Sequence, residues 1–174
     1  MAQRILCPTD LTTHSKDGLT YAFSLARTNR AQLMAFHVTS FPNLWQYPCE
    51  LDAYYQWEEI LSRFTMSQLL GEAERKTRNF VCENFKVESD GVAWKAIAAL
   101  GSVAEEIVAA GIRENVDLIV MDRRQRALLP RIFTSGILEK VSRHAPCSVL
   151  TIDASQIIRP TPPLWRVPLL GEIT

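Results

Sequence analysis

Apolar and polar positions along this chain switch between a strand-like and a helix-like period. RILCPTD (4–10) reads as a first strand. After it, Leu19, Ala22, Phe23 and Ala26 recur at i, i+3, i+4 and i+7, which sets them on one face of a helix. AQLMAFHV (31–38) is apolar almost without interruption and predicts a second strand buried on both faces. An aromatic-rich stretch (41–57) and a long helical segment to about Phe85 follow. VAWKAIAAL (92–100) predicts the third strand and VDLIVM (116–121) the fourth, the clearest in the chain. Between them Ser102 and Glu105 have the spacing of a capping box ahead of Ile107 and Val108, and Asn115 suits a left-handed helix stop. A last helix runs to about His144, ahead of Pro146, and CSVLTI (147–152) predicts the fifth strand.

Strands alternating with helices imply a parallel sheet with right-handed crossovers and helices on both faces. The fold class expected is one doubly wound α/β domain over 1–153, with a five-stranded sheet in the order 3-2-1-4-5 and a Pro-rich apolar extension over 154–174. Such sheets bind ligands at the carboxyl ends of their strands, where the order reverses. Here that is between strands one and four, which brings the loop at Thr9-Asp10 opposite the stretch MDRRQRALLPRIFTSG (121–136).

Two segments resist the simple pattern. In 54–85, Trp57, Ile60, Leu61 and Phe64 share one helical face, while Leu70, Ala73, Thr77 and Phe80 share roughly the opposite one. Either the helix breaks near Phe64 to Gln68, or its first half packs against something else. In the tail, RPTPPLWRVPLLGEIT has four prolines, which exclude a regular helix, yet Leu164, Trp165, Val167, Leu169 and Leu170 are too apolar for an ordinary disordered end. It reads as an extended segment docked on the body or on a second subunit.

Composition narrows the function classes. At 174 residues, 47% hydrophobic and 22% charged, one soluble domain is the default. Lys+Arg and Asp+Glu both total 19, so there is no global field for nucleic acid or an anionic membrane. No apolar run approaches the roughly 20 residues of a membrane span, and MAQRILCPTD reads as neither signal nor transit peptide, so a cytoplasmic location is expected. Cys7, Cys49, Cys82 and Cys147 are scattered, and His14, His37 and His144 do not form a zinc pattern. There is no G-x-G-x-x-G, no G-x-x-x-x-G-K-[ST], and no nucleophile–base pair at a diagnostic spacing. PTDLTT after strand one is not the S-G-G-x-D of a pyrophosphatase-type ligase, lacks the glycine of a flavodoxin loop, and lacks the acidic pair of a response regulator.

RILCPTDLTTHSKDGLTYAFSLARTNRAQLMAFHV, GSVAEEIVAAGIRENVDLIVM and GILEKVSRHAPCSVLTI together resemble the universal stress protein family. The resemblance runs over about residues 3–152 and is least between Thr39 and Val92. It implies the five-stranded parallel fold and a homodimer through the last strand, here Val149, Leu150 and Ile152. Many family members bind ATP through G-x-x-G, nine residues, then G-[ST]. In this chain the spacing is kept and the residues are not: the two glycines fall on Asp122 and Gln125, and the closing pair is reversed to Ser135-Gly136. The resemblance also maps Asp10 to the nucleoside part of a nucleotide, Val38 to adenine through its backbone, and Met121 to the pocket wall. An anion would meet the helix start at Ser135 and Gly136, with Arg123, Arg124 and Arg126 as side-chain donors. The ordinary alternatives are a turn aspartate, two core side chains and a solvated arginine loop.

The expectation is a non-enzymatic stress-response protein that works through dimerisation and an unknown protein partner, with weak or absent ATP binding and no firm cofactor. The alternative is an ATP- or AMP-binding switch with an arginine-modified phosphate loop, and a third reading is a weak nucleotide hydrolase.

Overall fold

The structure, a computed structural model, describes residues 3–39, 66–85, 91–122 and 135–153. The aromatic stretch 41–57, the early half of the long helical segment, the arginine loop and the tail lie outside the described residues. Strands β1 (Arg4–Pro8), β2 (Gln32–Thr39), β3 (Trp94–Leu100), β4 (Leu118–Asp122) and β5 (Ser148–Ile152) form one parallel sheet in the order β3-β2-β1-β4-β5. Helices α1 (Lys16–Asn29), α2 (Met66–Asn84), α3 (Val103–Arg113) and α4 (Ser135–His144) cover both faces. The expected order and fold class are therefore those of the molecule.

Alternation along the strands builds two cores. Ile5, Cys7, Leu33, Ala35 and Val120 point to the α1–α2 face, where they meet Leu19, Phe23 and Val81. Leu6, Met34, Phe36, Ile119 and Met121 point to the opposite face, against Ile107 of α3 and Val141 of α4. The first helix buries Leu19, Ala22, Phe23 and Ala26 as its period predicts. In α2 the buried residues are Ala73, Thr77 and Val81, so the face shared by Ala73 and Thr77 packs on the core; the residues of the other face lie outside the described residues. Thr77 is fully buried because its hydroxyl donates to the Ala73 carbonyl at 2.8 Å.

The carboxyl ends of α1 and α3 follow local chemistry, whereas the N-cap serines Ser15 and Ser102 make no side-chain capping bond. Arg30 (φ 54) and Asn115 (φ 49) are left-handed and close α1 and α3. The bonds Ala31 N–H to Ala26 O and Val116 N–H to Gly111 O are the long closures of Schellman motifs. Helix α3 begins where the capping box predicts, but the Ser102 side chain makes no capping bond. Glu105 is exposed, and the acid packed over the β3–α3 junction is Glu106, beside Gly101. Gly101 has φ +149, and a Cβ there would lie 3.1 Å from Glu106 Oε1.

At the amino-terminal end of the sheet, Asp117 Oδ2 accepts the N–H groups of Gln3 (2.8 Å) and Arg4 (2.9 Å). These two bonds hold the Asp117 carboxyl below the usual aspartate range. A lowered folded-state value means that the contribution is fully present above the ordinary value of 3.8 and is lost as pH falls through the folded one. Urea unfolding at neutral and acid pH is expected to show a smaller acid loss for Asp117→Asn than for the unmodified chain. Equal losses would mean that Asp117 does not contribute.

Candidate functional site

Proline at position 8 prepares an opening in the sheet. In a parallel strand successive N–H groups point to opposite neighbours. Thr9 N–H bonds to Phe36 O on the β2 side (2.8 Å), so the N–H that Pro8 lacks is on the β4 side. β1 stays in register with β2 to Pro8↔Phe36, whereas its pairing with β4 reaches only Leu6↔Ile119. The sheet thus gives up pairing at its switch point, toward the carboxyl ends, where α/β sheets hold ligands.

The chain then turns sharply. Leu11 has φ 60, an unfavourable left-handed conformation for a leucine. Its N–H donates to Thr9 Oγ1 at 3.1 Å. Asp10 Oδ1 accepts both the N–H (3.1 Å) and the hydroxyl (2.8 Å) of Thr12. Thr9 Oγ1 lies 2.8 Å from Ser15 Oγ, and Ser15 donates to the Thr12 carbonyl at 2.9 Å. From β2, His37 Nδ1–H donates to the Thr9 carbonyl at 2.9 Å, which fixes its tautomer on that side. A short 3-10 turn (Thr13–Ser15) leads into α1.

Across the opening, Met121 is buried in the α3–α4 core, and half-buried Val38 packs against the same core. Asp122 ends β4. Its Cβ lies 3.4 Å from where a Cβ on Gly18 would stand, so the first turn of α1 sits close against it. A Cβ at position 18 would already be in van der Waals contact with Asp122. The buried Cys7 thiol is pushed far above its ordinary range, first by burial and then by the negative charge of Asp122. That keeps it protonated and unreactive.

The structure therefore gathers Asp10, Val38 and Met121 at the carboxyl ends of the neighbouring strands β1, β2 and β4. Gly136 stands in the first turn of α4, which has no acidic residue there, and a Cβ on it would meet nothing within 4 Å. Ser135 starts the same helix. Arg123, Arg124 and Arg126 lie outside the described residues. Among the described residues, no three His, Cys, Asp or Glu side chains come together to hold a metal, and Cys7, Cys82 and Cys147 are free thiols. The sequence placed Thr9 in the crevice loop without a role, and missed Leu11, Ser15, Gly18 and His37 as parts of this site. Gly18 carried a signal, a glycine in the first turn of an otherwise good helix. The others became visible only through their bonds.

Comparison with known proteins places the chain. The model of the universal stress protein family matches residues 1–153. The universal stress protein MJ0531 of Methanocaldococcus jannaschii is 28% identical over 150 residues, covering 86% of this chain and 81% of that protein. Among solved structures, universal stress protein UspA from Lactobacillus plantarum aligns with a TM-score of 0.57 at 22% identity, over 86% of this chain and 97% of its own. A universal stress protein family protein from Arabidopsis thaliana, solved with AMP bound, aligns with a TM-score of 0.53 at 16% identity, over 87% and 91%. At such identities the structural likeness is one of fold.

Proposed function

Because this chain belongs to the universal stress protein family, we propose that it is a non-enzymatic, cytoplasmic stress-response protein that acts as a homodimer on a protein partner and binds ATP weakly or not at all. The observation that carries the reading is Asp122. In the family's ATP-binding pattern a glycine stands at that position; here a carboxylate ends β4 close against the first turn of α1. A triphosphate brought to this side of the crevice meets a like charge in a partly dry place, which is unfavourable. Among the described residues no helix is long and apolar enough to cross a membrane.

A nucleotide-binding switch is the second reading, favoured by the meeting of Asp10, Val38 and Met121 at the crevice. Its ligand would be AMP or ATP, with the phosphate end met by the α4 N-terminus at Ser135 and Gly136 and by Arg123, Arg124 or Arg126. AMP, present in the Arabidopsis structure, is the natural probe.

Dimerisation is proposed through β5. Among the described strands it pairs only with β4, which leaves its outer edge for a second copy. Val149 and Leu150 are half-buried and Ile152 is buried. An apolar open edge invites association unless it is covered, and pairing with its own copy across a two-fold axis covers it. Residues 154–174 extend directly from this strand, so they begin at the proposed interface. Light scattering is expected to give a dimer for the full chain and a weaker dimer when the chain stops at Asp153. A monomeric full chain removes the dimer, and an equally tight truncated dimer removes the tail's part in it.

A further inference from the structure

The hydroxyl bonds in the turn after β1 admit one proton order. The Leu11 N–H can only donate, so Thr9 Oγ1 accepts it. The Thr12 carbonyl can only accept, so Ser15 Oγ gives its single proton there. Ser15 then has no proton left for Thr9, and the 2.8 Å contact between the two hydroxyls must be donated by Thr9. The bonds form a one-way relay from Leu11 N–H through Thr9 and Ser15 to the Thr12 carbonyl. Thr9 is 6% exposed and Ser15 3%, so water is a poor substitute partner for either.

We infer that Thr9 is the positioning residue for the Asp10 carboxylate. A leucine in the left-handed region crowds its own backbone and does not stay there unaided. The Thr9 hydroxyl holds the Leu11 N–H, while Ser15 anchors Thr9 from below and the Thr12 carbonyl from beyond. That restrained bend brings Thr12 back onto Asp10, whose Oδ1 takes both its N–H and its hydroxyl. The carboxylate is thereby held at the mouth of the crevice by a residue that need touch no ligand. His37 adds a restraint from β2, on the Thr9 carbonyl, so the turn is tied to two strands and one helix start. The ligand arm of this inference rests on the nucleotide-switch reading; the relay itself does not.

Amide exchange followed by NMR on the full chain tests the relay, with AMP titrated into the same samples. Thr9→Val keeps the shape and removes the hydroxyl; Thr9→Ser keeps the hydroxyl. In Thr9→Val, exchange at Leu11 and Thr12 is expected to speed up by about tenfold or more relative to the β1 amides of Ile5 and Cys7, and AMP affinity to fall by about tenfold. Thr9→Ser should retain the wild-type behaviour in both. Should Thr9→Val fail to fold, Ser15→Ala breaks the next link and is expected to loosen the same two amides. Unchanged exchange at Thr12, or an equal loss in Thr9→Ser, overturns the relay. Undiminished AMP affinity with a loosened Thr12 overturns the positioning role. No AMP binding by the unmodified chain sinks the nucleotide reading, and the exchange arm then decides the relay alone.

Discussion

Phe36→Ala is expected to destabilise the fold by about 3–5 kcal/mol, measured by urea unfolding. Phe36 is the largest side chain in the core with no exposure, and its ring lies on the α3–α4 face with Leu6, Met34 and Ile119. It stands at the centre of β2, opposite Pro8 on one side and Ile97 on the other. Truncation leaves a cavity walled by two strands and the helices above them, and a packed sheet cannot collapse to fill it. The Phe36 carbonyl also takes the Thr9 N–H, so a shift of β2 reaches the turn that carries Asp10. Against a total stability of about 5–15 kcal/mol for a domain of this kind, the loss is severe. A change below about 1 kcal/mol would mean that the described core is wrong at this position.

Replacing Asp122 and Gln125 together by glycine is expected to strengthen ATP binding by about tenfold or more, a gain of at least about 1.4 kcal/mol. Two effects add. Removing the Asp122 carboxylate takes a like charge from the triphosphate side of the crevice. Glycine at both positions also gives the loop access to positive φ and lets backbone N–H groups approach phosphate oxygens. Asp122→Asn, nearly the same shape without the charge, separates the two: it should recover the electrostatic part only. Calorimetry in magnesium at neutral pH reads all three proteins. If the double variant binds ATP no better than the unmodified chain, Asp122 and Gln125 are not what weakens the site.

Much of the architecture was legible because a parallel sheet buried on both faces writes long apolar runs, and AQLMAFHV and VDLIVM are such runs. Helix α1 showed its period, and Asn115 its left-handed stop. The ends were less legible. The first strand was expected to reach Asp10 and stops at Pro8, because the proline removes a donor on one side and Leu11 turns the chain just beyond. Nothing in a leucine announces a positive φ, and the bond from its N–H to Thr9 is visible only in the structure. Ser102 and Glu105 have the spacing of a capping box without its bond, since spacing reports the opportunity and not the rotamer. In α2 the face of Ala73, Thr77 and Val81 is the buried one and packs toward β2 and β3, whereas the competing face of Trp57, Ile60, Leu61 and Phe64 lies outside the described residues. At the crevice, family likeness located Asp10, Val38 and Met121. It could not supply the Thr9–Ser15 pair, because two hydroxyls six residues apart have no spacing signature.

The central claim is that a family fold with a carboxylate in place of a phosphate-loop glycine holds ATP poorly. Titration calorimetry of the unmodified full chain with magnesium ATP at neutral pH addresses it most directly. The account predicts little or no heat, or an affinity much weaker than in relatives that keep the glycines. Submicromolar binding would contradict it, since the like charge at Asp122 and the bulk of Gln125 could not then be limiting.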